Sequence, residues 1–315
     1  MAVTDARVCV VGNLCMDLIL RGVQTLPAWG TEVTAKDRVL VSAGQAGYLA
    51  MALAALGSAV IVVGSVGDDA DGETIRADLT AAGVGVAAVD VVSGGATALS
   101  VAIVRPDGER SFVSHLGSLS SFTAADIERH WESVEQSRAA CLVGLFNLPG
   151  LDAGSVQEML ARLRRAGTIT VLDPGWDPGG WPPETLRAVY RWLPGVDLLL
   201  VNRDEAAAVT GVAAVEDAAA ALVSAGAGTV VVKCGPNGSY AQRGRDHAHV
   251  AARRVTEVDA VGAGDTFNAG FLSAFLDGVG LDAALSHGNA AASVYISRPA
   301  NRFPTRQELE EALTT

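Results

Sequence analysis

The stretch Val258-Asp-Ala-Val-Gly-Ala-Gly-Asp-Thr-Phe-Asn-Ala-Gly-Phe-Leu272 organises the interpretation of the whole chain. It predicts an apolar, strand-like approach, a glycine-bracketed turn and then a helix from Phe267 to Leu276. Asp265 lies where the turn becomes the helix. The backbone N–H groups that can point to one spot in front of it belong to Gly262, Ala263 and Gly264. Such a nest at a helix N-terminus attracts anions.

The acidic side chain inside this nest decides what the loop can do. A loop that only held phosphate would avoid the charge of Asp265, whereas a loop that also accepts a proton from an attacking hydroxyl would need it. The helix N-terminus is expected to keep this carboxyl ionised. The alternative is that Asp265 only caps the helix, a role for which the paired glycines are superfluous.

Composition excludes several classes of protein. The 315 residues are half hydrophobic, with a mean hydropathy of +0.31, so a sizeable core is available. A net charge of −12 argues against nucleic-acid binding, because there is no basic stripe to displace counterions. These values are typical of a soluble metabolic protein.

The cysteines and the apolar runs bear on compartment and membrane. Four scattered cysteines without a Cys-x-x-Cys pair argue against zinc and disulfide frameworks and favour a reducing cytoplasm. Residues 1–8 do not resemble a signal peptide. Tyr48 to Val66 carries no charge, but Gly57-Ser58 divides it into a helix and a buried strand, so no membrane span is expected.

The first part of the chain predicts one buried strand and a small separate sheet. Arg7 to Gly12 is an apolar run followed by Asp17, which could hold a polar ligand or serve only as a turn or cap residue. Alternating residues within 18–42 predict short antiparallel strands. Two more alternating runs flank Arg105-Pro-Asp-Gly108 and predict a hairpin. We expect these segments, about 18–42 and 96–116, to form one β-sheet lid.

Between and after these segments, apolar runs alternate with helix-like stretches. A helix ends at Gly57, a strand covers 60–64, and Gly64 to Gly72 is predicted to be a polar loop. The later helices are predicted at Ala124–Gln136, Ser155–Ala166, Asp217–Ala225 and Asp282–Ile296. The strands between them are predicted at Ala140–Leu145, Ile169–Leu172, Asp197–Val201 and Thr229–Val232. The alternation predicts one α/β domain over 1–315, with a mostly parallel sheet, helices on both faces and the β-sheet lid.

Polar residues follow these strands, at the edge where open α/β sheets bind ligands. They are Asn147, Asp173, Asn202 with Glu205, and the loop Lys233-Cys-Gly-Pro-Asn-Gly238. Trp176 and Trp181 lie in a Gly/Pro-rich loop that they are expected to pack shut.

Several of these stretches resemble the ribokinase-like (pfkB) family of carbohydrate and nucleoside kinases. The most specific match is Asp259-Ala-Val-Gly-Ala-Gly-Asp-Thr-Phe-Asn-Ala-Gly270, and supporting matches follow in family order over nearly the whole chain. The resemblance implies a ribokinase-like fold. It also implies that Asp265 is the catalytic base, accepting the proton of a substrate hydroxyl, while the N–H groups of Gly262, Ala263 and Gly264 form the anion hole.

The resemblance also implies cofactors. Asn202-x-x-Glu205 is similar to the motif that organises Mg²⁺ and its waters beside the phosphates of ATP. Residues matching the nucleotide side are Asn202, Lys233, Gly235, Gly238, Gly264 and, near the adenine, Asn289. Asp259 matches the acid of a monovalent-cation site, which carbonyls of Val261 and of 293–299 would complete for K⁺.

The substrate end is where the chain departs from the family pattern. The positions implied there are Asp17, Gly44, Gln45, Tyr48, Asn147 and Asp265 itself. Ala43 replaces the first glycine of a Gly-Gly pair, Tyr48 replaces an asparagine, and Asn147 stands where ribokinases often have glutamate. The kind of sugar therefore stays open.

These features predict ATP-dependent phosphorylation of a hydroxyl on a small sugar or sugar-like molecule. Two alternatives remain, an adenosine-type nucleoside kinase and a non-catalytic sugar-binding sensor with the same fold. A dehydrogenase is disfavoured because no Gly-x-Gly-x-x-Gly follows the first strand, and the Gly-Lys-Ser/Thr of a P-loop is also missing. The exposed edges of the lid favour a homodimer joined through that sheet.

Overall fold

Short runs of Val, Leu, Ile and Ala form the strands of the molecule. The computed structural model describes residues 8–299 and 302–314. Arg7 and the N-terminal stretch tested for a signal peptide lie outside the described residues. The strands are β1 (Val8–Gly12), β2 (Cys15–Arg21), β3 (Asp37–Ala43), β4 (Val60–Gly67), β5 (Gly85–Val92), β6 (Leu99–Val104), β7 (Arg110–His115), β8 (Ala139–Val143), β9 (Ile169–Asp173), β10 (Leu198–Asn202), β11 (Thr229–Lys233), β12 (Ser239–Arg243) and β13 (Asp246–Val250).

Nine of these strands form the central sheet, in the order β13-β12-β11-β10-β9-β8-β1-β4-β5. From β11 to β5 all neighbours are parallel, and β12 and β13 extend the sheet antiparallel. The chain leaves β1 toward β4 and β5 on one side and returns to β8 on the other. The switch in direction therefore lies between β1 and β8, and ligand sites in open α/β sheets lie at such points.

The remaining four strands form a separate sheet, in the order β3-β2-β6-β7. β2 pairs antiparallel with β3, so that Arg21 lies opposite Asp37, and it pairs parallel with β6. β6 and β7 are the hairpin around Arg105-Pro-Asp-Gly108. We call this four-stranded sheet the lid, and the presence of a small sheet separate from the central one agrees with the prediction.

Helices cover both faces of the central sheet. They are α1 (Gln45–Ala55), α2 (Ala70–Ala81), α3 (Ala124–Glu128), α4 (Trp131–Glu135), α5 (Ala153–Ala166), α6 (Pro183–Trp192), α7 (Arg203–Thr210), α8 (Val215–Ser224), α9 (Ala263–Leu276), α10 (Leu281–Ile296) and α11 (Arg306–Thr314). α9 packs closely on α10, since a Cβ at Gly270 would lie only 2.6 Å from the carbonyl oxygen of His287. This contact fixes the helix that carries Asp265.

Four predicted elements differ from the structure. Residues 124–136 form two short helices, because Thr123 and Asp126 close a capping box at the first and the helix stops at Arg129. The predicted loop from Gly64 is wrong, since β4 runs to Gly67 and Asp69 already caps α2. The approach at 258–261 is irregular and not strand-like. α9 begins at Ala263, four positions earlier than predicted, which places Asp265 inside its first turn.

The apolar run Tyr48 to Val66 divides between α1 and β4, as predicted. Within 8–299 and 302–314, no single helix has the length and apolar character to span a membrane. The pair α7 and α8 together has the length and apolar composition of a membrane span, but the two helices are bent by 57° at their junction.

Candidate active site

A cleft of about 830 Å³ opens at the carboxyl ends of β9, β10 and β11, in front of the N-terminus of α9. Its volume is in the range of small-molecule sites. It collects twelve of the predicted site residues: Gln45, Asn202, Glu205, Lys233, Gly235, Gly238, Val261, Gly262, Ala263, Gly264, Asp265 and Asn289. The predicted residues that do not line it are Asp17, Gly44, Tyr48, Asn147 and Asp259.

The nest has a different donor set from the predicted one. Gly262 is the N-cap of α9, with a φ of +83°, and no side chain caps the helix. Asp265 is therefore not the cap residue. The N–H of Ala263 donates to the carbonyl oxygen of Ala260 at 3.2 Å. This bond closes the turn and takes that donor out of the predicted anion hole. Among the described residues, Gly262 and Gly264 have N–H groups without an acceptor, as first-turn groups of a helix generally do.

Two tyrosine rings hold the glycine of this nest in place. A Cβ at Gly262 would lie 2.8 Å from Cδ1 of Tyr48 and 3.0 Å from the hydroxyl of Tyr295. Only glycine combines this close approach with the positive φ. Tyr48 therefore touches the anion nest.

The carboxyl of Asp265 is partly buried at the wall of the cleft. Removal from water raises its pKa well above the usual range, and the charge of Asp173 raises it further, while Lys233 opposes both effects. The prediction that the helix N-terminus would keep the carboxyl ionised is wrong in direction. Burial and the neighbouring carboxylate both favour the protonated form of Asp265.

Asp173 is the hub of the site. Its Oδ2 accepts from Lys233 Nζ at 2.7 Å and from Asn268 Nδ2 at 2.7 Å. Its Oδ1 accepts from Gln45 Nε2 and from the N–H of Gly175, both at 3.2 Å. These bonds join the ends of β9 and β11 to α9 and α1. Asn268 lies on α9, about one helical turn after Asp265.

Lys233 ends β11 and reaches into this network. It donates to Asn268 Oδ1 at 3.2 Å as well as to Asp173. Burial lowers the pKa of Lys233, but the charges of Asp173 and Glu205 outweigh burial and raise it above its usual value. The lysine is thus a fixed cation beside the nest, since a Cβ at Gly264 would lie 3.8 Å from its Nζ.

Asn202 and Glu205 form a capping box at the start of α7. Asn202 Oδ1 accepts from the N–H of Glu205, and Glu205 Oε2 accepts from the N–H of Asn202, both at 2.8 Å. Burial and then the charge of Asp173 raise the pKa of Glu205 to about 7, with Lys233 acting in the opposite direction. A carboxyl of this kind at the wall of a cleft is a suitable neighbour for a hydrated cation.

This donor set suits Mg²⁺ better than a metal that needs several protein ligands. Within the described residues, no cluster of three or more His, Cys, Asp or Glu side chains could hold a metal ion. Mg²⁺ usually takes one or two carboxylates, and waters and substrate phosphates complete its shell. Glu205 and Asn202 fit that pattern.

The turn after β11, at one side of the cleft, contains two glycines with different surroundings. Gly238 has a φ of +92°, and a Cβ there would lie 2.0 Å from the carbonyl oxygen of Val250. Gly235 has a φ of +54° and open space around it. The polar atoms of Asn289 are already bonded, Oδ1 to Ser239 at 3.0 Å and Nδ2 to the Val250 carbonyl at 3.0 Å. Asn289 thus ties α10 to the end of the sheet.

Asp17 lies within strand β2. The interpretation of Asp17 as a turn or cap residue is therefore wrong. Its buried carboxylate accepts from the Tyr48 hydroxyl at 3.1 Å and from Cys15 Sγ at 3.4 Å. Burial raises the pKa of Asp17 to about 6 against these bonds. The charge of Asp17 also contributes to the raised pKa of Asp265. The two carboxyls are therefore electrostatic neighbours, although only Asp265 lines the cleft.

Gly44 lies beside Asn13, a residue that the sequence analysis did not single out. Asn13 follows β1, and its buried Oδ1 has no hydrogen-bond partner among the residues that the structure describes. A Cβ at Gly44 would lie 2.3 Å from the Asn13 carbonyl oxygen. Asn147 is half-buried in a short helical turn after β8.

Three side chains that sequence reasoning did not select as site residues also line the cleft. They are Arg110, Phe112 and Trp176. Trp176 is 52% exposed and rests edge-on against the buried Trp181, with ring centroids 5.8 Å apart. Trp176 follows Asp173 by three positions in the sequence, and this proximity to a predicted polar site residue could have identified it. Nothing in the hairpin sequence distinguished Arg110 or Phe112.

The residues implied for a monovalent cation do not fit one. The buried Asp259 accepts from the N–H of Val261 at 3.0 Å through Oδ1, and its Oδ2 is paired with the guanidinium of Arg21. The carbonyl oxygen of Val261 accepts from the Tyr295 hydroxyl at 3.0 Å. The Ile296 carbonyl accepts from the N–H groups of Val258 and Asp259. The acid and these carbonyls each have a partner within the protein, so they are not a ready set of ligands for K⁺.

Comparisons with known proteins bear on the family. The model of the pfkB family carbohydrate kinases matches residues 5–308. A ribokinase of Haemophilus influenzae is 26% identical, over 96% of this chain and 97% of that protein. An ATP-dependent ribose-1-phosphate kinase of Halopiger xanaduensis is 30% identical, over 94% of each chain.

Solved structures agree with the fold. The ribokinase of Arabidopsis thaliana, complexed with ribose and ATP, superposes with a TM-score of 0.82 at 24% identity, over 98% of this chain and 99% of that chain. The adenosine kinase of Sinorhizobium meliloti gives 0.83 at 25% identity, over 99% and 100%. The predicted ribokinase-like fold is thereby confirmed.

Proposed function

Because the chain belongs to the pfkB family of carbohydrate kinases, we propose that it transfers the γ-phosphoryl group of ATP to a hydroxyl of a small sugar or sugar-like molecule in the cleft before α9. The observation that carries the proposal is the placement of Asp265. Its carboxyl lines the cleft inside an anion nest, and its pKa is raised by burial and by Asp173. A base with a raised pKa is a better proton acceptor near neutral pH than an ordinary aspartate.

The chain's own groups divide the work of phosphoryl transfer. Asp265 accepts the proton of the substrate hydroxyl. At the same time the hydroxyl oxygen forms a bond to the γ-phosphorus of ATP, and the bond from that phosphorus to the oxygen bridging it to the β-phosphorus breaks. The N–H groups of Gly262 and Gly264, at the positive end of α9, stabilise the negative charge on the transferred group. Lys233 adds a positive charge next to Gly264. Positioning and charge stabilisation of this kind supply most of the catalysis in this reaction class.

ATP would occupy the side of the cleft formed by Gly235, Gly238 and Asn289. Mg²⁺ would be held near Asn202 and Glu205, where it neutralises phosphate charge when bound. Glu205 in its ionised form is the partner for that cation. Its pKa of about 7 without the cation means that binding the cation favours loss of its proton.

The acceptor would bind near Gln45 and Asp173, with Trp176 and Phe112 as apolar surfaces. The family resemblance also assigns Asp17, Gly44, Tyr48 and Asn147 to the acceptor, although these residues do not line the cleft. Aromatic surfaces of this kind stack on sugar faces and equally on bases. An adenosine-type nucleoside is therefore the second candidate, favoured by the exposed ring of Trp176.

Two further proposals concern the molecule outside the cleft. Exposed apolar side chains on the lid, Leu40 on β3 and Val113 on β7, support a homodimer formed through this sheet. The four cysteines are unpaired, which supports a reducing compartment such as the cytoplasm.

The first experiment measures ADP release by the purified protein with MgATP and a panel of hydroxylated acceptors. The panel contains ribose, ribose 1-phosphate, 2-dehydro-3-deoxygluconate and adenosine. Asp265→Asn should lower kcat by roughly 10²- to 10⁴-fold, the range for loss of a general base, with little change in ATP affinity. The carboxamide keeps the shape of the side chain and cannot accept the proton.

The matched control is Asp282→Asn, which removes an aspartate from the first turn of the neighbouring helix α10, outside the cleft. It should leave kcat unchanged. Equal activity of wild type and Asp265→Asn would exclude the carboxyl as base. If no acceptor in the panel accelerates ATP turnover, the sugar-binding sensor becomes the better interpretation.

A further inference from the structure

Arg21 pairs with Asp259, the acid that the family resemblance assigns to a monovalent-cation site. It ends β2 of the lid, and its guanidinium lies between two carboxylates, Asp37 at 3.0 Å and Asp259. The Asp259 side chain is 3% exposed, the Asp37 side chain 59%. The pair with Asp259 is therefore the one that is withdrawn from water, where charge-assisted bonds are strongest.

The other oxygen of Asp259 connects this pair to the anion nest. Asp259 Oδ1 accepts from the N–H of Val261 at 3.0 Å, and Val261 immediately precedes the N-cap Gly262. The Val261 carbonyl is held from the opposite side by the Tyr295 hydroxyl at 3.0 Å. Arg21 thus holds the carboxylate of Asp259 in place. That carboxylate in turn holds the backbone of Val261, where the chain enters the nest.

The charged groups around Arg21 come from three segments. Besides Asp37 and Asp259, they are Glu257 and Arg110, which line the same small cavity of about 30 Å³ beside the guanidinium. This space is enough for a water. Removal of the guanidinium would enlarge it next to a buried, unpaired carboxylate.

We propose that Arg21 is a built-in cation: its guanidinium serves Asp259 in place of a bound monovalent ion, so that the lid itself holds the anion nest in shape. The protein therefore has no requirement for K⁺. Arg21 is a positioning residue, because it acts through Asp259 and Val261 and does not line the main cleft. The effect on phosphoryl transfer rests on the proposed kinase activity, whereas the effect on stability and nucleotide binding does not.

The experiment compares wild type, Arg21→Ala and Arg21→Lys in KCl and in choline chloride at one ionic strength, about 0.1 M. Three quantities are measured: the thermal unfolding midpoint, the dissociation constant for MgATP and the ADP-release rate. For wild type all three should be the same in both salts. For Arg21→Ala in choline chloride, MgATP affinity should fall by at least about tenfold, because a buried carboxylate loses its partner.

In KCl, Arg21→Ala should regain stability and MgATP affinity, because K⁺ can enter the enlarged cavity. In choline chloride, methylguanidinium should restore the stability and MgATP affinity of Arg21→Ala, and methylammonium should restore them less well. Arg21→Lys retains a cation and should stay insensitive to K⁺. The matched control is Arg105→Ala, which removes an exposed lid arginine paired with Asp107 and should match wild type in both salts.

Stimulation or stabilisation of wild type by K⁺ would overturn the proposal, whether or not any variant folds. It would also be overturned if Arg21→Ala behaved as wild type, or if its defects responded neither to K⁺ nor to methylguanidinium. If no acceptor is phosphorylated but stability and MgATP binding follow the expected pattern, the built-in cation stands and the proposed kinase activity fails.

Discussion

At the scale of single residues, Asp173 affects the pKa of other acidic side chains in the cleft. It is the last residue of β9 and is nearly inaccessible to solvent. Its charge is balanced by Lys233 at 2.7 Å, yet it still raises the pKa of both Asp265 and Glu205. Burial is the larger cause of both raised pKa values, and the charge of this one carboxylate adds to it at the two acids with proposed chemical roles.

The replacement Asp173→Asn should shift the pH dependence of the reaction. Loss of its negative charge lowers the pKa of Asp265, and it also leaves Lys233 free to stabilise the ionised form. Since the base works when deprotonated, the acid limb of a plot of kcat/KM against pH should move to lower pH. The measurement is ADP release between about pH 5 and 9, which brackets the usual titration range of a tuned base.

The same variant should also lose roughly 2 kcal/mol of stability, because a buried charge-assisted hydrogen bond to Lys233 is weakened. Asp197→Asn is the control. Asp197 bonds Thr170 at the opposite end of the sheet, so its loss should affect stability alone. An acid limb that stays in place in Asp173→Asn would show that Asp173 does not tune the base.

At the scale of elements, the turn between β11 and β12 separates two requirements for glycine. Gly238 is required by the fold, because the carbonyl of Val250 lies where its Cβ would be. Gly235 faces open space and lines the cleft. The motif Lys233-x-Gly-x-x-Gly238 therefore contains one glycine for the backbone and one beside the proposed ligand.

Alanine at each position should have a different consequence. Gly238→Ala should reduce the free energy of unfolding by at least about 2 kcal/mol, since it combines backbone strain with a clash against backbone. Gly235→Ala should lose only about 1 kcal/mol from its positive φ and should mainly raise KM for ATP. Urea unfolding and ATP titration separate the two effects. Equal stability losses in the two variants would contradict the assignment.

At the scale of the whole molecule, the lid is both a wall of the active site and an exposed sheet. Its β7 contributes Phe112 to the cleft, while Val113 on the same strand is 65% exposed. Its edge strand β3 carries Leu40, which is 48% exposed. Exposed apolar groups on open sheet edges are typical of surfaces that pair with another chain.

Val113→Glu should therefore weaken self-association. We expect wild type to migrate as a dimer in size-exclusion chromatography with light scattering. A buried unpaired charge should raise the dimer dissociation constant by roughly 10²-fold or more. Val91→Glu, at a 46% exposed position on β5 of the central sheet, is the control and should leave the dimer intact. A monomeric wild type would remove this proposal.

The order of elements was predictable wherever local pattern and tertiary structure agree. Buried parallel strands are short apolar runs, and Pro-Asp-Gly between alternating residues predicts a hairpin, so the six strands β1, β4 and β8 to β11 and the β6–β7 hairpin were predictable from the sequence. The short helices α3 and α4 were not separated, because their break at Arg129 and His130 contains neither proline nor glycine. β5 was missed because its alternation is weak.

The sequence alone determined that Asp265 directly follows a glycine-bracketed turn at a helix start, and that polar residues follow the strands. Both are local properties, set by glycine conformation and strand length. Tertiary structure alone decided which charges meet. Arg21 is 238 residues from Asp259, and Asp173 is 60 from Lys233. A pKa or a cation site depends on distances between elements and on loss of water, and no local pattern contains either quantity. The position of Asp17 after a buried strand predicted a possible ligand-binding residue, and only the packed lid showed that Arg21, at the end of β2, pairs with Asp259.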